Sequence, residues 1–303
     1  MNKRDCGVSI QYNTSQRYAS QSVPCLEGTK NKIISVASGK GGTGKTLTII
    51  NLALSLSRSG KKVLIFDGDL GLSNVDILLG LKSHRNLEDV FLNSLNFKDI
   101  IVEGPGGLGI VPSGSGVRSL QKLSRLHKEM IKEQLSELCT EYDVILIDTG
   151  AGVHHSVIHL NSLSNHRVVV TTPEPHAMTD AYALMKVLVQ EKNIKSFDLV
   201  VNMVANEDEA KFTAQRLIKT GNSFLGADIS FLGYIPRDQS VSRHVLHRTL
   251  DHEARLRTVW GQAWHQVALK LVARLEEKGT DMGQSNSNTS FWTRALQVQD
   301  DNK

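Results

Sequence analysis

Apolar and polar positions divide most of the chain into short solid runs and longer periodic stretches. Ile33-Ile34-Ser35-Val36-Ala37, Val63-Leu64-Ile65-Phe66 and Val144-Ile145-Leu146-Ile147 are almost unbroken apolar runs. Runs that short and that solid predict strands buried on both faces of a parallel sheet. Further strands are predicted at His166 to Thr172, at Phe197 to Val204 and, shorter, at Phe231 to Ile235. A helical period predicts helices from Lys45 to a stop at Gly60, over Leu72 to Leu81, and over Leu87 to Leu92 behind a capping Asn86. It continues at Leu120 to Leu138, Thr179 to Lys192, Glu207 to Thr220 and Glu253 to Lys278. Between residues 100 and 117 glycine and proline are dense, and two short strands, Ile100 to Val102 and Leu108 to Val111, read as a hairpin-like pair. Strand and helix alternate along the chain. The predicted fold class is therefore α/β: a mostly parallel, twisted sheet with helices on both faces, in three layers.

Where the first strand ends, the chain reads Ser38-Gly39-Lys40-Gly41-Gly42-Thr43-Gly44-Lys45-Thr46. Gly39, Gly44, Lys45 and Thr46 meet the spacing G-x-x-x-x-G-K-[ST]. Glycines at 39, 41, 42 and 44 let the backbone curl and turn its N–H groups toward an anion. The helix beginning at Lys45 adds its positive end to the same spot. Lys45 supplies a full charge for β- and γ-phosphates, and the Thr46 hydroxyl can ligate Mg²⁺. A flexible glycine hinge would need neither the preceding strand nor the following helix, so this is read as a phosphate-binding loop in a P-loop NTPase fold. Asp67 and Asp69 follow the second strand, and Asp148 closes the strand Asp143 to Ile147 in the manner of a Walker B acid. Carboxylates at the carboxyl edge of a parallel sheet, beside a phosphate loop, suit a metal shell better than packing. Thr149-Gly150-Ala151-Gly152 is read as a loop free to respond to a γ-phosphate. His154 and His155 are adjacent; a zinc pair on a helix is spaced i and i+4, so an exposed surface is the favoured reading of these two.

Composition adds bounds. The chain has 303 residues and a net charge of +4, room for one large domain with appendages and too little charge to point to nucleic acid by itself. We divide it into an N-terminal arm (1–31), a P-loop domain (32–278), and a polar linker with a short amphipathic segment (279–303). The arm is rich in Ser, Gln and Asn without periodicity, and is read as flexible or as a docking segment. Cys6, Cys25 and Cys139 are widely spaced singles, read as reduced thiols. No apolar run approaches the ~18 residues of a membrane span, and the start of the chain lacks the apolar core of a signal peptide. A cytoplasmic location is expected. Arg237 to Arg257 is rich in arginine and histidine, either a patch for DNA, acidic lipid or a partner, or a solvated helix surface. Phe291, Trp292, Ala295, Leu296 and Val298 share one side of a helix, which suits a partner groove or peripheral contact with the inner membrane face. Asp300 and Asp301 behind it oppose acidic lipid.

Lys40 inside the loop, Asp67-Gly68-Asp69 and the Asp148 strand together resemble the deviant Walker A group of P-loop ATPases, the MinD/ParA family, over roughly residues 31 to 275. Within it, Asp69 to Gly80, Val102 to Gly107 with Ile110-Val111-Pro112, and Thr179 to Leu184 with Lys186 are most similar to the flagellar placement and number ATPases (FlhG, also called FleN). The resemblance implies ATP and Mg²⁺ as cofactors, hydrolysis to ADP and phosphate, and an ATP-dependent homodimer acting as a switch in flagellum biogenesis. The alternative it leaves is plasmid or chromosome partition, or division-site selection, on DNA or membrane. It implies catalytic roles for Lys40, reaching across the dimer, for Lys45, and for Asp69 at the attacking water. Thr46, Asp67 and Asp148 are implied for the metal shell. Gly39 to Leu47, that is Gly39, Lys40, Gly41, Gly42, Thr43, Gly44, Lys45, Thr46 and Leu47, are implied to hold the phosphates. Asn202 with Pro236, Arg237 and Asp238 are implied to hold adenine, and Asn74 to be a motif asparagine of the first switch. No Asn-Lys-x-Asp follows a late strand, which favours ATP over GTP. The partners implied are flagellar: a signal-recognition-type GTPase, a transcription regulator or switch-complex proteins, with DNA ranked lower. Four departures stand out: Leu47 where a second threonine is usual, Thr43 in place of valine, no Asp-Gln-Ala-x-x-Leu-Arg stretch in the arm, and His154-His155 where the second switch usually carries smaller or acidic residues.

Overall fold

The computed structural model describes residues 32–69, 75–87, 89–90, 95–113, 138, 140–241 and 258–281. In chain order these form β1 (Lys32–Ser38), α1 (Lys45–Arg58), β2 (Val63–Gly68), α2 (Val75–Leu78), β3 (Val102–Gly104), β4 (Leu108–Val111) and β5 (Val144–Ala151). There follow α3 (His155–Leu163), β6 (His166–Thr171), α4 (Pro175–Lys192), β7 (Ser196–Val204), α5 (Glu207–Leu225), β8 (Asp228–Pro236) and α6 (Val259–Asp281). The strands make one sheet in the order β3-β4-β2-β5-β1-β6-β7-β8. All pairings are parallel except β3 with β4. This is the expected α/β/α architecture.

The solid apolar runs are explained by the two-residue period of a strand covered on both sides. Ile34, Val36, Val63, Ile65, Val144 and Leu146 join one core with α1 and α6, while Ile33, Leu64, Phe66, Ile145 and Ile147 join the core on the opposite face. Ala37, Val169, Leu199 and Val201 pack with α4 and α5 on that second face. Helix α6 contributes Trp260, Trp264, Val267, Leu271, Val272 and Leu275 to the first core, with the two indoles edge to face, centroids 5.9 Å apart. Fully burying each such aliphatic side chain is worth about 1.5–3 kcal/mol. Arg274 ties the helix to the sheet, its Nε 3.4 Å from Asp198 on β7 and its Nη2 3.4 Å from Asp228 on β8.

Several predicted boundaries move. Of the helix expected over Leu72 to Leu81, Leu72 to Asn74 lie outside the described residues, Val75–Leu78 is helical, and its carboxyl end falls short of Leu81 because Leu79 and Gly80 turn away with Gly80 at φ 66°. β5 runs on to Ala151, so Thr149 and Gly150 are strand rather than loop. β8 starts at Asp228 and is as long as β7. α4 starts a turn earlier than expected, with Pro175 in its first turn, where its missing N–H costs nothing. α5 runs past Thr220 to Leu225, where Gly226 caps it at φ 58°. Of the helix expected from Glu253, residues 253–257 lie outside the described residues, Thr258 is a bend, and α6 runs from an exposed Val259 through Asp281 into the predicted linker. The hairpin pair is found as β3 and β4, joined by a 3-10 turn over Pro105–Gly107, but its first strand lies at Val102–Gly104 rather than Ile100 to Val102, because the backbone at Ile100 and Ile101 closes the preceding 3-10 turn on Phe97. Of the helix Leu87 to Leu92, residues 87, 89 and 90 are described and helical, and the Asp89 carboxylate accepts the Asn86 N–H at 2.8 Å. The arm, Asn74, most of the helix Leu120 to Leu138, the stretch 242–257, the C-terminal segment 282–303 and all three cysteines lie outside the described residues. Among the described residues no helix is long and apolar enough to cross a membrane.

Candidate functional site

Parallel register assembles the acids. β2 and β5 pair so that Asp67 lies opposite Asp148, and β1 lies on the other side of β5. Strand alternation puts both carboxylates on the face covered by α1, whose first residue is Lys45. The carboxyl ends of β1, β2 and β5 therefore converge on the glycine loop, at the point where strand order reverses around β1.

The loop needs glycine at 42 and 44 for backbone shape and at 39 and 44 for space. Gly42 and Gly44 stand at φ 80° and 87°, in the left-handed region. A Cβ on Gly39 would fall 2.0 Å from the carbonyl carbon of Asp180, inside the backbone of α4. The turn is held from within: Ser38 Oγ donates to the Lys40 carbonyl at 2.9 Å, and the Thr48 hydroxyl and N–H both donate to the Gly44 carbonyl at 2.9 Å. Leu47 is half-buried against the core and its carbonyl accepts from Asn51 at 2.7 Å, so its side chain is a packing group.

Lys45 Nζ forms an ion pair with Asp148 Oδ1, both side chains being almost completely buried. Burial raises the Asp148 carboxyl above its ordinary range; the Lys45 charge and hydrogen bonds from Lys45 and Thr46 pull it back, and Asp69 pushes it up again. Asp148 Oδ2 has no hydrogen-bond partner among the described residues. A buried anionic oxygen left unpartnered, next to the Thr46 hydroxyl, fits a site for a hard, oxygen-liganded cation. Among the described residues no cluster of three or more His, Cys, Asp or Glu side chains could hold a metal ion. Mg²⁺ at phosphate sites characteristically takes one or two protein oxygens and fills its shell with phosphates and water, and Thr46 and Asp148 suit that pattern.

Asp67 is buried and committed to backbone: Oδ1 accepts the Asp69 N–H at 3.1 Å and Oδ2 the Val75 N–H at 3.4 Å. It lies opposite Asp148 in the sheet, and its hydrogen bond to Val75 anchors the start of α2. Asp69 lies across from Gly150, its Oδ1 3.5 Å from where a Gly150 Cβ would be, and its carbonyl accepts from Ser113 at 3.4 Å. Lys40 projects from the loop, half-exposed, and pairs with Glu174 at 3.0 Å. Asn202 is buried and its Nδ2 donates to the Thr43 carbonyl at 2.8 Å. Val204 pairs with Pro236 and its carbonyl accepts the Arg237 N–H at 2.8 Å, so the Pro236-Arg237-Asp238 turn shares that edge with Asn202. Asp238 Oδ1 accepts from Ser240 N–H at 2.8 Å and Oγ at 2.6 Å. The fold thus gathers the predicted phosphate, metal and adenine positions along one edge.

Two contacts had no local signal in the sequence. Glu174 lies 134 residues from Lys40, and Asn202 lies 159 from Thr43. A third was legible: His155 pairs with His159 at the i, i+4 spacing, with stacked rings 6.5 Å apart, while His154 and His155 are exposed. Burial, then the neighbouring His155 and Lys192, depress the His159 pKa below its ordinary 6.5. The unfolded chain therefore takes up a proton that the folded chain refuses, and stability falls as pH drops below about 6.5. His159→Gln should flatten urea midpoints between pH 7 and 5; an unchanged slope would count against the depressed imidazole.

A protein-family model for the AAA domain matches residues 31–200. The antiactivator FleN of Pseudomonas aeruginosa is 36% identical over 79% of this chain and 86% of its own length. The flagellum site-determining protein YlxH of Helicobacter pylori is 34% identical over 88% of this chain and 90% of its own. Among solved structures, the septum site-determining protein MinD of Pyrococcus horikoshii, complexed with Mg-ADP, aligns with a TM-score of 0.64 at 27% identity, covering 81% of this chain and 98% of that one. Taken with the deviant glycine loop and its buried Lys45–Asp148 pair, these likenesses establish that the chain belongs to the MinD/ParA family of P-loop ATPases, with the flagellar proteins FleN and YlxH among its relatives.

Proposed function

We propose that this ATPase is an ATP-dependent dimerisation switch that sets flagellar number or placement, reset by hydrolysis of ATP to ADP and phosphate. The observation that carries the reading is the contrast between the two loop lysines. Lys45 is buried on Asp148 at the base of the site, whereas Lys40 is half-exposed and, among the described residues, is held by a surface pair with Glu174. An exposed ion pair of that kind is worth about 0–1 kcal/mol and yields readily to a stronger partner. The triphosphate of a second copy is such a partner, since two phosphate groups brought face to face need additional positive charge.

When bound, Mg²⁺ would offset phosphate charge and be held by Thr46 and Asp148. Lys45 would exchange Asp148 for the β- and γ-phosphates, and backbone N–H groups from Gly39 to Leu47 would cradle them. Asp69, across from Gly150, would orient the attacking water. Asn202 and the turn Pro236-Arg237-Asp238 would hold the adenine. The likeness to FleN and YlxH supports the flagellar reading, with protein partners in flagellar assembly. The C-terminal segment is the candidate for peripheral membrane contact.

Sedimentation of the full chain with Mg·ATP and with Mg·ADP tests the switch. Wild type should dimerise at micromolar concentration with ATP alone, and Lys40→Ala should stay monomeric while still binding ATP. A Lys40→Ala protein that dimerises like wild type would remove the reading. Deleting or overexpressing the gene in its host should change the count or position of flagella.

A further inference from the structure

Near its carboxyl end β7 breaks step with β8: the register shifts between Val201 and Val204, and Asn202 and Met203 occupy the irregularity. Met203 stands at φ 59°. Only one other described non-glycine residue has a positive φ, Asn193, an asparagine capping α4. A left-handed methionine inside a strand is strained and persists only where its surroundings fix it. The Asn202 amide bridges this turn and the glycine loop. Asn202 Oδ1 accepts the Met203 N–H at 2.9 Å, and Nδ2 donates to the Thr43 carbonyl of the phosphate loop at 2.8 Å. The packing is close: a Cβ on Gly44 would lie 2.2 Å from Asn202 Nδ2 and 3.8 Å from Met203 Cε.

The geometry points to Asn202 as a strut for the phosphate-binding loop, with the left-handed backbone of Met203 as the positioning element that aims it. An amide has two N–H donors and an oxygen with two lone pairs. The contacts to Thr43 and Met203 use one of each. One donor and one acceptor remain, the complement of an adenine edge with its N6 amino group and adjacent ring nitrogen. On the corresponding N7 edge guanine offers two acceptors, N7 and O6, which the remaining lone pair of Asn202 Oδ1 cannot serve. One side chain then couples base recognition to the shape of the loop that binds phosphate. The coupling to base rests on the adenine reading above; the strut does not.

The test separates the two by using a ligand without a base. Binding of Mg·tripolyphosphate, Mg·ATP and Mg·GTP is measured by calorimetry on the full chain. Asn202→Ala should weaken tripolyphosphate by about tenfold, the effect of one hydrogen bond lost from a preorganised site. It should weaken ATP further and narrow the preference for ATP over GTP. Met203→Gly keeps the left-handed turn without strain and should retain wild-type affinities with a higher melting temperature. Met203→Val disfavours the turn and should reproduce the tripolyphosphate loss. Unchanged tripolyphosphate affinity in Asn202→Ala would overturn the strut and leave base reading intact. Loss of tripolyphosphate with an unaltered ATP:GTP ratio would uphold the strut and overturn base reading. Should Asn202→Ala fail to fold, the two Met203 variants decide: equal loss in both would show that side-chain packing, and not backbone shape, sets the loop.

Discussion

Lys45→Ala is expected to abolish measurable ATP hydrolysis and to destabilise the fold by roughly 3–5 kcal/mol at neutral pH, the usual cost of stranding a buried charge. The two effects have separate causes. Stability falls because Asp148 is fully buried, already raised by burial, and has Lys45 as its ion-pair partner, with Oδ2 unpartnered among the described residues. Activity falls, on the proposed reading, because Lys45 is the loop lysine assigned to the β- and γ-phosphates of its own chain, while Lys40 is assigned to those of a second copy. Removing such a preorganised group costs on the order of a hundred- to a thousandfold in rate, and loss of binding adds to it. Urea unfolding and phosphate release measure both. The double variant Lys45→Met with Asp148→Asn separates them: it should recover most of the stability, since no charge remains buried, and none of the activity. Recovery of neither would mean that Lys45 supports the fold through packing rather than through Asp148.

Gly39→Ala should be nearly as damaging for a different reason. The added methyl would lie 2.0 and 2.1 Å from the carbonyl carbon and oxygen of Asp180 and 2.4 Å from the Ala181 nitrogen. All three are helix backbone, which cannot swing aside as a side chain can, so α4 or the loop must be displaced. Overpacking costs about 1–3 kcal/mol when neighbours can yield, and the rigid partner here places the expected loss at about 3 kcal/mol or above. ATP binding should fall with it, because the displaced backbone carries the N–H groups proposed to cradle phosphate. Gly41→Ala is the control: its Cβ meets nothing within 4 Å, and its midpoint should match wild type. Equal stability of the two variants would show that the loop and α4 are not in the contact described.

These expectations differ in how much of their basis could be read before folding. Lys45 and Asp148 were legible as chemistry, since each sits in a contiguous pattern, a glycine loop before a helix and an acid after an apolar run. That they neutralise each other was not, because 103 residues separate them. The need for glycine at 44 follows from its φ of 87° as well as from contact, whereas Gly39 is required by α4 alone. Boundary errors have local causes. The Pro175 start of α4 was available as a first-turn proline, and Gly80 as the end of α2. The extra residues of β5 and β8 were not, because glycine and polar residues enter a strand when neighbouring strands supply its hydrogen bonds.

The sequence by itself determined the fold class, the glycine loop between the first strand and helix, the acid after an apolar run and the order of the strands along the chain, because each is written in residues adjacent to one another or repeated at a helix or strand period. Only the tertiary structure decided which charges meet. The pairing of Lys40 with Glu174, the burial of Asp148 against Lys45 and the grip of Asn202 on Thr43 all cross more than a hundred residues. Such contacts depend on strand order in the sheet and on parallel register, which set distances in space that no spacing along the chain records.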